Sequence, residues 1–157
     1  SMARNLIADS DFVTKAERGQ AKTIRPCLHC LDCVTFPNVG HPLRCAVNPV
    51  AGRETKYHFI SRSDTPKKVL IAGGGPAGMM AAQICARRGH SVILCEKSDH
   101  LGGRMLEASA LYAKDYHRRY LDWDIKTTQN CVSDIRLNRK LYASLLPKPI
   151  SSVMPIP

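Results

Sequence analysis

The chain has 157 residues, 44% hydrophobic and 23% charged, the balance of a folded domain and not of a disordered segment. Its formal net charge is +10, yet the basic residues come in pairs (Lys67–Lys68, Arg87–Arg88, Arg118–Arg119, Arg139–Lys140) and never in a run of five, which favours a solvated surface over a nucleic-acid-binding arm. No run of eighteen apolar residues occurs, the first residues lack the basic-then-apolar order of a secretory signal, and seven cysteines, four of them crowded between residues 27 and 45, fit a reducing cytoplasm better than a disulfide framework.

In chain order, "DFVTKAERGQA" predicts a helix that opens at Asp9, Ser10 or Asp11 and closes near Gly19. Residues 25–66 are rich in Pro, Gly and Cys and lack hydrophobic periodicity, so they read as irregular backbone held by something other than an apolar core. Pro66, Lys67 and Lys68 mark a boundary. Beyond it "VLIAG" predicts a buried strand, "GPAGMMAAQICARRG" a helix of small residues ending at Gly89, and "SVILCEK" a second buried strand. A helical pattern runs from Glu107 to about Asn130, with Tyr112, Tyr116, Tyr120 and Trp123 on one face, a stripe read as core packing. "VSDIRLN" predicts a third strand, and the tail "LLPKPISSVMPIP" carries four prolines and does not read as a natural domain end.

Gly73, Gly75 and Gly78 form G-x-G-x-x-G directly after the first strand and at the start of the helix. Gly73 suits a tight turn, Gly75 a close approach of backbone to a pyrophosphate, and Gly78 close packing of helix on sheet, while the helix start offers free N–H groups to phosphate. Glu96 ends the second strand 23 positions after Gly73, where a carboxylate accepts the hydroxyls of an adenosine ribose and repels a 2′-phosphate; Lys97 and Arg104 lie close by in sequence. Gly102 and Gly103 read either as a second close approach to a cofactor or as a simple loop turn.

Cys27, Cys30 and Cys33 form C-x2-C-x2-C, and Cys45 follows after eleven intervening residues. A tight triplet with a distant fourth thiol favours a [4Fe–4S] cubane; structural zinc is the alternative, with His29 or His41 as substitute ligands. Cys85, Cys95 and Cys131 read as small buried hydrophobes.

Taken together, "MAR-x-x-IAD-x-x-F-x-x-KA", "RPC-x-x-C-x-x-C", "RCAVNP-x-x-G-x-E", "KKVLIAGGGPAGM-x-AA" and "LCEKSDHLGG" resemble, in order and over about residues 1–138, the iron–sulfur flavoenzymes related to old yellow enzyme, the group of 2,4-dienoyl-CoA reductase, 2-enoate reductase and trimethylamine dehydrogenase. The resemblance implies an α/β architecture: residues 1–24 as the end of an FMN-binding (β/α)8 barrel, 25–66 as a [4Fe–4S] segment and linker, 67–140 as an incomplete Rossmann-like FAD/NAD(P)-binding domain, and 141–157 as a truncated or non-native tail. It implies that Ala3 and Arg4 touch the FMN phosphate. Cys27, Cys30, Cys33 and Cys45 would hold the cluster. Gly73, Gly75, Pro76, Ala77, Gly78, Glu96, Lys97, Gly103 and Arg104 would line the FAD or ADP site, Arg104 standing where many members place Gln. Most of the barrel, with its substrate-protonating acid, is missing, so the expectation is a fragment of an NAD(P)H-dependent oxidoreductase for small unsaturated acyl or enone substrates, inactive alone, with no nucleic-acid or membrane partner. The implied task is to relay electrons from FAD through the cluster to FMN. Two other readings stand beside it: a small ferredoxin-like electron carrier, and a basic zinc module for nucleic acid.

Overall fold

A computed structural model describes residues 2–57, 60–111 and 114–142. Its elements are α1 (Ala3–Ala8), α2 (Phe12–Glu17), a 3₁₀ turn (Ala21–Thr23), α3 (Asp32–Asn38), α4 (Glu54–Tyr57), β1 (Lys68–Ala72), α5 (Pro76–Arg87), β2 (Ser91–Cys95), α6 (Arg104–Ser109), α7 (Asp115–Cys131) and β3 (Asp134–Arg136). The architecture is mixed α/β around a three-stranded sheet of order β1-β2-β3, parallel throughout, with Lys68 beside Ser91, Ala72 beside Cys95, and Ile93 beside Asp134.

The β1–α5–β2 unit forms where the residue chemistry predicts it, but only β2 is the buried strand expected: β1 lies at the edge of the three-stranded sheet and is not buried, Leu70 being 45% exposed. Pro76 occupies the first turn of α5, where its missing N–H costs nothing. Gly89 ends the helix with φ +84°, and the Gly89 and His90 N–H groups bond back to Ala86 and Cys85. The core is Met79, Ala82, Val92, Leu94, Leu101, Leu121 and Val132. Each of its larger side chains contributes about 1.5–3 kcal/mol by leaving water.

The expected long helix from Glu107 to Asn130 is two helices. Gly103, at φ +53°, starts α6 earlier than the periodicity indicates. At the far end of α6 the Ser109 hydroxyl bonds back to the Leu106 carbonyl (2.8 Å), a local bond that competes with the helix ladder, and the Arg118 guanidinium takes the Ser109 carbonyl (3.1 Å). Tyr112 lies outside the described residues, as do residues 143–157, which hold nearly all of the proline-rich tail.

Helix α7 has two working faces. Leu121, Asp124 and Thr128 are buried toward α5. On the other side Tyr120 (4% exposed) packs with Ala8, Val47, Cys27 and Cys45, the Trp123 indole donates to the Thr23 carbonyl (3.1 Å), and Tyr116 stacks on His29 with centroids 4.0 Å apart. The tyrosine stripe is therefore packing of a mixed kind: Tyr120 is core, whereas Tyr116 is 43% exposed and covers the cysteine segment.

Residues 25–66 hold two short helices, α3 and α4, in place of wholly irregular backbone. They are tied to the N-terminal segment by polar contacts. The buried Asp9 carboxylate accepts from Lys15 Nζ (2.7 Å) and from the N–H groups of Arg25 (2.8 Å) and Asp11 (3.1 Å), and Asn48 donates to the Ile7 carbonyl (2.8 Å). Asp9 is thus a hub and not a helix cap. Among the cysteines outside the motif, Cys95 is buried in β2 and Cys85 half-buried, but Cys131, at the end of α7, is exposed and does not act as a core residue.

The contact of α5 with α7 is polar at its centre. Gln83 Nε2 donates to Asp124 Oδ1 (2.6 Å) and Thr128 Oγ1 (2.9 Å), all three side chains being fully buried. Gln83 Oε1 and Asp124 Oδ2 are buried without a partner in hydrogen-bond geometry, although the Tyr120 hydroxyl lies close enough to the Asp124 carboxyl to favour its ionised form. Burial pushes the Asp124 carboxyl up, against the Gln83 bond and the Arg25 charge, which pull it down. The folded state therefore holds this proton more tightly than the unfolded chain. The contribution is complete below the unfolded value of about 3.9 and is lost as pH rises through the folded one. Thermal melts across pH should show that slope in the wild type and lose it in Asp124→Asn, whose amide keeps an oxygen to accept from Gln83 Nε2 but does not titrate. Asp124→Ala should cost about 1–3 kcal/mol by removing one of the two side-chain acceptors of the buried Gln83 amide.

Candidate cofactor sites

The glycine turn is built by packing as much as by backbone freedom. Gly73 leaves β1 at φ +104°, and its N–H still bonds to Cys95, continuing the sheet. A Cβ on Gly78 would overlap the Gly73 carbonyl oxygen, so only glycine lets α5 start this close to the strand. Gly75 differs: a Cβ there meets no protein atom within 4 Å and points into open space. Pro76 and Ala77 follow as the first residues of α5.

Gly74, which the motif does not count, is the best-connected of the three consecutive glycines. Its N–H donates to Glu96 Oε2 (2.5 Å) and its carbonyl accepts from Gly102 N (2.8 Å). A Cβ on it would lie 2.5 Å from Leu101 Cδ2 and 3.1 Å from Glu96 Cβ. The second carboxylate oxygen of Glu96 accepts from Ser98 N (2.9 Å). Burial, at 5% exposure, raises the Glu96 carboxyl, but the N–H groups of Gly74 and Ser98 outweigh it and hold the pKa below the ordinary value. Gly103 completes the junction, its Cβ position 3.2 Å from Gly75 Cα. A recess of about 250 Å³ beside this turn is lined by Ala72, Gly73, Cys95, Glu96, Lys97, Arg139 and Lys140. Arg139 and Lys140 arrive through the parallel pairing of β3 with β2 and through an Arg139 N–H bond to the Glu96 carbonyl (2.7 Å). No local signal marks them in the sequence. Arg104 is exposed at the start of α6, outside this recess.

The four motif cysteines line one small recess together with Arg4, Leu28, Leu31, Ala46 and Val47. His29 and Leu31 adopt left-handed φ values of 57° and 66°, so the backbone reverses twice between Cys27 and Cys33. Cys27 Sγ accepts from His29 N at 3.4 Å. Burial and the neighbouring Cys27 and Cys30 raise the Cys45 thiol, and N–H groups of Val47 and Asn48 act in the other direction. His29 and His41 stay out of the recess, His29 against Tyr116 and His41 near Phe36. Among the described residues no group of three or more His, Cys, Asp and Glu side chains is arranged to hold a single metal ion. The donor set is four sulfurs with no carboxylate, the chemistry of a soft, thiolate-ligated metal centre, and the N–H bond at Cys27 is of the kind that steadies thiolate ligands. Arg4 stands at this recess, and Ala3 is exposed at the start of α1.

Residues 68–144, from the first residue of β1 onward, match the family of FAD dependent oxidoreductases. An NADH oxidase of Thermoanaerobacter brockii is 46% identical over 127 residues, covering 78% of this chain and 19% of that protein. A cinnamate reductase of Clostridium sporogenes is 37% identical over 139 residues, covering 88% of this chain and 21% of that one. The solved histamine dehydrogenase of Rhizobium sp. 4-9 superposes on 90% of this chain and 21% of its own with a TM-score of 0.83 at 27% identity. The homologues and structural neighbours of this chain are iron–sulfur flavoenzymes related to old yellow enzyme, and the chain corresponds to a segment of them. It spans about a fifth of the length of these flavoenzyme relatives. Within the described residues no helix is long and apolar enough to cross a membrane.

The glycine turn separates positions the fold needs from a position it leaves open. Gly78→Ala should cost about 1–3 kcal/mol through overlap with backbone that cannot move aside. Gly74→Ala should cost a similar amount, by displacing Leu101. Gly75→Ala, at φ −76° and ψ 177°, should leave the melting temperature unchanged or slightly raised. Thermal unfolding followed by circular dichroism distinguishes the three.

Proposed function

We propose that this chain is the cofactor-carrying segment of an NAD(P)H-dependent flavin oxidoreductase, holding an iron–sulfur cluster at Cys27, Cys30, Cys33 and Cys45 and the adenosine diphosphate part of FAD at the glycine turn. The observation that carries the reading is that a cysteine triplet and a fourth cysteine, separated by eleven residues, line one recess, and that α7 packs both this segment and the unit bearing the glycine turn. Support also comes from the FAD-family match over β1–α5–β2–β3 and from the reductases and dehydrogenases among its relatives.

When bound, the flavin supplies two-electron hydride chemistry and the cluster single-electron transfer, which together connect a nicotinamide donor to an acceptor flavin, FMN in this family, and an unsaturated substrate. The chain's own residues bind and orient. The N–H groups at the start of α5 and the dipole of that twelve-residue helix face the pyrophosphate, which Gly75 admits because nothing of the protein occupies its side-chain direction. Glu96, held ionised by its backbone donors, accepts ribose hydroxyls with its remaining lone pairs, while Lys97, Arg139 and Lys140 balance the nucleotide's negative charge. Pro76, Ala77, Gly103 and Arg104 flank the same turn. Leu28, Leu31, Ala46 and Val47 keep water from the cysteine recess, and Arg4, placed beside the thiolates, compensates their charge and is within this reading the residue that reaches the FMN phosphate next to Ala3.

Residues 1–24 then read as the end of the FMN barrel, 25–66 as the cluster segment and 67–140 as part of a Rossmann-type nucleotide domain.

Anaerobic reconstitution tests the cluster directly: about four irons and four sulfides per chain are expected, as four-thiolate ligation of a cubane requires. Cys45→Ser should lose most of the iron and Cys85→Ser or Cys131→Ser none. Stoichiometric zinc without acid-labile sulfide would overturn the assignment. Calorimetry tests the nucleotide site independently: Gly75→Val should lose FAD and ADP affinity by more than tenfold while iron content stays at the wild-type level.

A further inference from the structure

The excursion from Val34 to Arg44 carries the chain away from Cys33 and must bring it back to Cys45. None of its residues is buried, yet three side chains close it from outside. Arg44 places its guanidinium 3.2 Å from the centre of the Phe36 ring and 3.3 Å from Asp32 Oδ2. Asp32 and Phe36 lie one turn apart on α3, so one cation meets both from the same face of that helix. Asp32 immediately precedes Cys33, and Arg44 immediately precedes Cys45. The backbone is shaped for this return: Gly40 turns at φ +79°, the His41 N–H bonds to the Phe36 carbonyl (3.0 Å), and the Leu43 carbonyl oxygen occupies the place where a Cβ on Gly52 would stand. None of these three residues lines the cysteine recess, so their contribution is to place ligands and not to be ligands.

We infer that Asp32, Phe36 and Arg44 form a clamp that closes the Val34–Arg44 loop before metal arrives and so holds the Cys45 thiol facing Cys33. The cluster function rests on the four-cysteine reading above, but the clamp is a property of the chain itself. It acts on how readily the fourth thiolate is delivered, since loop closure that the protein has already made need not be supplied by metal binding. With the clamp broken, the three thiolates of the triplet still capture iron, and closure by Cys45 becomes the slow step. Lysine at position 44 keeps a cation near the ring and the carboxylate, whereas alanine removes both interactions.

Two measurements on the full chain test this. In anaerobic reconstitution with ferrous iron and sulfide, Arg44→Ala should slow cluster formation about five- to tenfold, the combined worth of one exposed ion pair and one cation–π interaction. Final iron content at saturation should stay near wild type, and Arg44→Lys should recover the rate to within about twofold. In the metal-free chain carrying Cys27→Ser and Cys30→Ser, oxidative bridging of Cys33 to Cys45, followed by peptide mapping, should slow by the same factor on adding Arg44→Ala. Phe36→Leu serves as a second variant should Arg44→Ala fail to fold as judged by circular dichroism. Unchanged rates in both assays overturn the clamp. A wild-type chain that takes up no iron and sulfide overturns the cluster reading alone, and the bridging rate then decides the clamp: slowing upholds it, an unchanged rate removes it.

Discussion

The buried hydrogen bonds from Gln83 to Asp124 and Thr128 fix α7 on α5, and both halves of the molecule take their relative position from that contact. A helix–helix contact made only of aliphatic side chains tolerates sliding by a turn. A buried amide between a carboxyl and a hydroxyl does not, because any shift leaves polar atoms unpaired in a medium that makes such a loss expensive. With α7 pinned on one side, Tyr120 and Trp123 on its other side meet Ala8, Val47, Thr23 and two of the cysteines. The distance between cysteine recess and glycine turn is thereby set by a rigid element and not by a linker.

At the glycine turn the same economy appears on a smaller scale. Glu96 closes the turn through Gly74, and Gly74 in turn holds the loop carrying Gly102 and Gly103. One carboxylate thus organises three chain segments and is kept ionised by the N–H groups it organises. Its lowered pKa has the opposite consequence to the raised one of Asp124: the Glu96 contribution is present above the unfolded value of about 4.3 and is lost as pH falls through the folded value. Asp9, lowered by Lys15 and the Arg25 N–H despite its burial, behaves as Glu96 does. Acid therefore weakens both the glycine turn and the tie between the N-terminal and cysteine segments, while it strengthens the α5–α7 contact.

The cysteine segment has a modest core and compensates with polar ties. Arg25 donates to the Ala8 carbonyl and lies over Trp123, Asn48 reaches Ile7, and Arg44 bridges Asp32 and Phe36. Each such tie is worth little when exposed. Their shared effect is to hold the recess walls in place, which leaves its interior lined by sulfur and aliphatic carbon. A site of that kind is prepared in shape but incomplete in energy, and coordination of metal would supply the remainder.

From the amino-acid sequence alone, the β1–α5–β2 unit, the third strand, the glycine turn and the grouping of four cysteines were legible, because each is written in local terms: hydrophobic period, glycine spacing, thiol spacing. Gly74 was not, since its role comes from Glu96 and Leu101, neighbours that only sheet pairing brings to it. Arg139 and Lys140 escaped for the same reason, and so did Arg44, whose partners Asp32 and Phe36 lie across an irregular loop. The division of the expected Glu107–Asn130 helix, and the two unlike faces of α7, turned on the Ser109–Leu106 and Gln83–Asp124 bonds. Periodicity registers that a face is apolar but carries no information about which of two bodies it meets. That choice belongs to pairings between residues forty or more positions apart, and it is made only when the chain is folded.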